Sequence, residues 1–218
     1  MTLLREIQSA VTDSTADIST VLRKSKILAA RLQNPEFETW VDRELNGYGD
    51  LSILPPYRVV PVEVRAHIRN RSGLHWNEAP VMARFLPEKL RDWGEVCYLS
   101  QPIAEIASLS AGAQDGGQLQ VPWPQEVAIR FGAEGYNGFE CPGAWQVVSP
   151  HALIGVVDTV KNRILDFSLK IEAENPDAGE ASPGTQPVPR ARLVMIFQNT
   201  FYAPVGNLAQ NSHGFTQS

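Results

Sequence analysis

Apolar residues fall at helical spacing in several places along the chain, and the longest such stretch organises the rest. Between Ser149 and Asn175, Leu153, Val157, Val160, Ile164, Phe167 and Ile171 recur at steps of four and three. That spacing sets six apolar side chains on one helix face. Ile154, Leu165 and Leu169 widen the stripe, and Asp158, Lys161, Asn162, Asp166, Lys170, Glu172 and Glu174 cover the other side. Ser149 suits the N-cap and Pro150 the first helical position, where a missing N–H costs nothing. Asn175-Pro176 ends the helix, because a residue before proline is pushed out of the helical region. At about 1.5 Å per residue this helix spans roughly 40 Å.

Three shorter helices precede it. Leu3, Leu4, Ile7 and Val11 mark the first, and Asp13, Ser14 and Thr15 break its pattern. The second, Ser19–Leu32, carries Val21, Leu22, Ser25, Leu28, Ala29 and Leu32 on one face, with Ser14 or Ser19 as its cap. Asn34-Pro35-Glu36 is a strong start for the third, with an N-cap, a proline and an acid in the first turn. This helix points Phe37, Trp40, Val41 and Leu45 inward and stops at Gly47. The second and third helices form a hairpin of the width that the long helix can cover.

The middle of the chain changes grammar. Tyr57–Asn70 alternates as a strand does, with Val60, Val62, Val64, Ala66 and Ile68 on one side and Pro61 marking an edge or bulge. Short pieces follow: a strand at Val81–Leu86, helices starting at Pro87 and Pro102, a flexible loop at Gly112–Gly117 and an extended Leu119–Pro124. Gln125–Phe131 reads as a helix and Phe139–Val148 as extended chain. Trp123 between two prolines reads as a core plug. The expected class is therefore α+β: an N-terminal helical hairpin packed with a long C-terminal helix, and mixed short strands and helices between them.

The organisation expected is a domain at 1–176, a Pro/Gly-rich linker at 177–190 and a C-terminal β-segment and tail at 191–218. In one reading the segment's strand pairs with the domain's own sheet and the tail frays. In the other it pairs between chains or with a partner. The second reading makes Leu193, Met195, Phe197, Val205, Gly206, Asn207, Leu208, Ala209 and Gln210 an interaction element.

Composition narrows the function classes. The 218 residues carry a formal net charge of −5, which argues against a whole-molecule basic field for nucleic acid or an anionic membrane. Cys97 and Cys141 read as free, partly buried thiols. The sequence has neither a signal peptide pattern nor an apolar run long enough to cross a membrane, so a cytoplasmic location is expected. Arg23, Lys24, Lys26 and Arg31 form a cationic side of the second helix. The plainer reading is a solvated face; the functional one is contact with phosphate or nucleic acid. Glu38 and Asp42 share a face without a histidine at helical spacing, and His67 and His75 flank a turn without further ligands. No metal site, cofactor or catalytic residue is nominated, because no nucleophile–base, zinc or phosphate-cradle motif is present.

A run of blocks resembles the AbiTii domain. These are Leu-Leu-Arg-Glu-Ile at 3–7, Ser-Thr-Val-Leu-Arg-Lys at 19–24, Ala-Ala-Arg-Leu at 29–32 and Phe-Glu-Thr-Trp-Val-Asp-Arg-Glu-Leu-Asn-Gly-Tyr at 37–48. They continue with Leu-Pro-Pro-Tyr-Arg-Val-Val at 54–60, Gln-Pro-Ile-Ala-Glu-Ile at 101–106, Val-Pro-Trp-Pro at 121–124 and Val-Val-Asp-Thr-Val-Lys-Asn-Arg-Ile-Leu-Asp-Phe at 156–167. The resemblance implies a bacterial protein of abortive infection, the anti-phage response that stops an infected cell. It brings no catalytic residues. The tail at 205–210 is similar to the Gly/Asn-rich endings of such proteins and loosely resembles amyloid-like signalling motifs. The favoured function is a non-enzymatic sensing or interaction module, as a homo-oligomer or with another defence protein. The alternatives are a toxin-like effector acting on nucleic acid and a small-molecule sensor using the Trp-rich middle as a pocket.

Overall fold

The computed structural model describes residues 1–113, 118–182 and 184–202, with the side chain of Ala113 excluded. Helices α1 (Leu3–Thr12), α2 (Ile18–Leu32) and α3 (Pro35–Asn46) open the chain. Strands β1 (Val59–Asn70) and β2 (His75–Pro80) follow, then α4 (Arg91–Glu95), β3 (Val96–Tyr98) and α5 (Ile103–Ala113). Next come β4 (Leu119–Pro122), α6 (Gln125–Phe131), β5 (Phe139–Val148), α7 (Pro150–Glu174) and α8 (Arg190–Phe201). The class is α+β, and the N-terminal helices pack with the long helix α7.

Local chemistry sets the helix ends. The Asn34 side chain accepts the Phe37 N–H at 3.1 Å, the cap that the sequence implies. Helix α2 starts one residue earlier than expected, after Asp17 rather than a serine. Ser149 sits at the α7 N-cap in extended conformation, but its hydroxyl makes no capping bond. The long helix buries Leu153, Val156, Val160, Ile164, Phe167 and Ile171. Val156 therefore replaces Val157 on the stripe, and Leu169 faces solvent.

The sheet runs β2-β1-β5-β4, all antiparallel, with β3 pairing the start of β1. Val64 sits opposite Gln146 and Ala66 opposite Ala144, and the register slips between His67 and Arg69. The expected strand at Val81–Leu86 is not one. Val81 still donates to the Val64 carbonyl at 3.0 Å, but the chain then turns through Ala83–Phe85. The helix expected from Pro87 ends at Glu95, so Cys97 lies on β3, and Gly112 belongs to α5 rather than to a loop. The rest of that expected loop, 114–117, lies outside the described residues.

Two cores result. The larger joins α1, α2, α3, α5, α7 and α8 to one end of the sheet. The smaller lies between the Val64–Ala66–Ile68 face and α6, and Trp123 plugs it as expected.

The C-terminal third departs most from expectation. Residues 191–201 were expected as a β-strand; they form helix α8. Leu193, Ile196, Phe197, Thr200 and Phe201 are buried at steps of three and four, so helical spacing decides the segment. Leu193 and Phe197 are core residues, not an exposed interaction element, and only Met195 of the three faces outward. The segment 177–190, expected to be free of the body, lies against it. Ala178, Gly179 and Val188 are buried, and Arg31 donates to the Gly179 carbonyl. The Leu3 N–H bonds Glu180 at 2.8 Å, and Gln33 reaches the Thr185 carbonyl at 2.7 Å. The stretch read as a linker thus ties α1 and α2 to α8.

Candidate functional site

Helix α3 carries Phe37, Trp40, Val41 and Glu44 on its buried face. That spacing sends one carboxylate into the interior, where Arg58 meets it. Both side chains have no solvent exposure. Arg58 Nη2 lies 2.6 Å from Glu44 Oε2, and its Nε donates to Oε1 at 3.3 Å. The Tyr48 and Tyr57 hydroxyls donate to the same carboxylate at 2.7 and 2.6 Å, and Trp40 Nε1 donates to Tyr57 at 3.2 Å. Arg58 Nη1 donates to the carbonyls of Leu99 and Gln101 at 2.8 and 2.7 Å. The pair is therefore satisfied on all sides, as a buried pair must be. It locks α3 to the start of β1 and to the loop before α5.

Burial, reinforced by the Glu44 carboxylate, pushes both tyrosine hydroxyls far above their ordinary value, so they remain donors. Unfolded tyrosines ionise near pH ~10. A group whose folded value is raised gives stability that is present below that pH and lost as pH rises. The protein is expected to keep its stability up to pH ~10 and to lose it progressively above. Ultraviolet titration should show Tyr48 and Tyr57 ionising only with unfolding.

Above this network lies an open groove of about 1370 Å³. Its walls are α3, the Pro-rich segment 52–61, the first half of α7 and the last turn of α8. Trp40 and Tyr57 form part of its floor. His151, Gly155, Thr159 and Arg163 line it from α7 at steps of four, along one row of the helix. Gly155 leaves a gap in that row, since a Cβ there would meet nothing within 4 Å. Arg163 donates to the Thr200 carbonyl at 2.8 Å and to that of Phe201, so it closes the C-terminus of α8. Its guanidinium stands 5.0 Å from the centre of the Tyr57 ring.

Residues 2–196 of this chain match the family described as AbiTii. The chain belongs to the AbiTii family. That match covers all of α1 to α7 and half of α8. Membership ties the protein to abortive infection, the anti-phage defence for which the family is named. No curated protein and no solved structure matches the chain.

The AbiTii fold spreads the sequence-nominated residues widely. Lys24 pairs with Glu6 at 2.9 Å, Lys26 with Asp42 at 2.6 Å and Arg31 with Glu180 at 3.4 Å; Arg23 and Lys26 are exposed, and Arg23 alone of the four makes no ion pair among the described residues. Asp42 is thus Lys26's partner rather than Glu38's. Val205, Gly206, Asn207, Leu208, Ala209 and Gln210 lie outside the described residues. Among the described residues no group of three or more His, Cys, Asp or Glu could hold a metal, and no helix is long and apolar enough to cross a membrane. The Trp-rich middle does not form the groove: Trp123 is buried, and Trp145 lies against His67 on the sheet, ring centres 4.6 Å apart and tilted.

The buried network and the groove were missed in sequence, although one residue of each carried a signal. Glu44 follows Phe37, Trp40 and Val41 at seven, four and three. Arg163 follows Val156 and Val160 at seven and three. A charged residue in phase with an apolar stripe marks a buried pair or a site.

Proposed function

We propose that this AbiTii chain is a sensing and assembly module of abortive infection. In this reading the groove receives the infection signal, and the chain beyond Tyr202 carries the response as a homo-oligomer contact or a contact with another defence protein. The observation that carries it is the composition of the groove wall. Its far side is the last turn of α8, Phe201 and Tyr202, from which residues 203–218 continue. A ligand seated between α3 and α7 touches the base of that segment. The nucleic-acid effector reading through Arg23, Lys24, Lys26 and Arg31 has less support, because three of these cations already hold carboxylates.

Gly155→Leu tests the groove. The substitution places its Cβ where nothing lies within 4 Å, projects an isobutyl group from the groove-lining row of α7, and removes a helix-interior glycine, a gain of about 0.5–1 kcal/mol. The variant is expected to melt at or slightly above the parent temperature and to lose protection in a phage plaque assay. Undiminished protection would sink the groove reading. Light scattering tests the assembly arm. The full chain is expected to exceed a monomer, and a chain ending at Tyr202 to be a monomer with unchanged helical content. Equal masses for the two would remove the segment from assembly.

A further inference from the structure

Arg163 is a buried cation without a counter-ion among the described residues. Only 8% of it is exposed. Its bonds go to two carbonyls, its Nε has no partner, and the Tyr57 ring covers one face. Among the described residues no carboxylate lies within 4 Å of it, in contrast to Arg58. Arginine keeps its charge in proteins, and burying an ion that lacks an opposite charge is strongly unfavourable. The C-terminus of α8 returns about half a charge at most. The same side chain lines the groove, where Arg43 and His151 add cationic or titratable nitrogen and Glu36 is the single acid among the described lining residues. Two aromatic rings line the same groove: Tyr57 against the Arg163 guanidinium, and Tyr202, 72% exposed, on the α8 side.

We infer that the groove binds a phosphorylated, ring-bearing ligand of dinucleotide size, with phosphate against Arg163 and Arg43 and a base against Tyr57 or Tyr202. This rests on the groove being the sensing site. Guanidinium groups match phosphate oxygens in geometry and charge. Flat aromatic side chains stack on any base, so the arrangement selects the class of ligand and not one base. The groove has room for more than one nucleotide, because pockets for single drug-sized ligands are roughly 300–1,000 Å³ and this one is larger.

The test uses the full chain in titration calorimetry at low salt. The probe is a mixed-sequence pool of linear dinucleotides with 5′-phosphates; adenosine is the uncharged control. The pool is expected to bind saturably, and adenosine at least ten-fold more weakly. Arg43 is half-exposed and makes no side-chain ion pair among the described residues, so Arg43→Gln should fold normally. It is expected to weaken binding by at least ten-fold and to flatten its salt dependence. Gly155→Leu is expected to abolish binding. Absence of pool binding, equal binding by adenosine, or an Arg43→Gln variant that binds as the parent does would each overturn the inference. If the pool fails while Gly155→Leu still loses phage protection, the nucleotide assignment falls alone and the groove stands. If protection is also unchanged, both fall.

Discussion

Replacing Glu44 with alanine is expected to lower the melting temperature by on the order of 10 °C. Glu44 is the centre of a closed set: Arg58, Tyr48 and Tyr57 all donate to its carboxylate, and Glu44, Arg58 and Tyr48 are buried while Tyr57 is half-buried at the groove. Removing the acid leaves the Arg58 guanidinium fully buried and unpaired, and breaking such a pair from one side costs about 3–5 kcal/mol. In a domain of this size each kcal/mol moves the midpoint by roughly 2–4 °C. The loss is specific to the orphaned cation, and a second variant separates that from simple cavity formation. Glu44→Leu with Arg58→Met removes both charges and is expected to recover most of the lost stability, because apolar replacement of a whole buried pair is often near neutral. A Glu44→Ala protein melting within about 2 °C of the parent would mean the pair holds nothing together. Since Tyr57 is both a donor to Glu44 and part of the groove floor, the same variant should also loosen the groove.

The pair also shows where sequence reading stops. Helices α1, α2, α3 and α7 were legible because their apolar residues repeat at one period over several turns, and β1 because Val60 to Ile68 alternate without interruption. Asn34-Pro35 announced the start of α3 through local chemistry alone, and the cap bond is there. Arg58 was harder. It stands at the start of a strand, where its neighbours give no phase, and its partner lies fourteen residues earlier. Only the tertiary fold, which sets the turn before β1 beside α3, brings the two together. The groove is less legible still, since it exists between elements: α3, the segment before β1, α7 and α8 each contribute one wall. Its row on α7 could be read, but its closure by α8 could not, because 191–201 was expected as a strand. The run Leu193-Val194-Met195-Ile196-Phe197 is apolar at every position, so it fits a strand or a buried helix equally. Thr200 and Phe201, four residues after Ile196 and Phe197, extend the helical phase and break the tie.

The role of α8 predicts the largest effect of all. A chain ending at residue 178 is expected not to fold, whereas one ending at Tyr202 should keep the full helical signal. Helix α8 buries Leu193, Ile196, Phe197 and Phe201 against the body. Its two phenylalanines complete an aromatic cluster with α3 and α7: Phe197 and Phe201 stack at 4.8 Å, Phe201 lies 4.4 Å from Trp40, and Phe37 meets Phe167 at 4.3 Å. Each such side chain contributes about 1.5–3 kcal/mol, so the four amount to roughly 6–12 kcal/mol. Whole domains are stable by only about 5–15 kcal/mol. The shorter chain also strips Arg163 of both carbonyls and leaves that cation facing an exposed apolar surface. Far-ultraviolet circular dichroism and thermal melting of the two truncations decide the matter. A cooperative transition in the 1–178 chain, near that of the full protein, would show that α8 is an appendage. Phe197→Ala in the full chain gives a graded version, with an expected loss of about 3–5 kcal/mol from a fully buried ring. Because Phe201 and Arg163 belong to both the core and the groove wall, that loss should be felt at the groove as well: whatever binds there stabilises α8, and whatever loosens α8 weakens binding there.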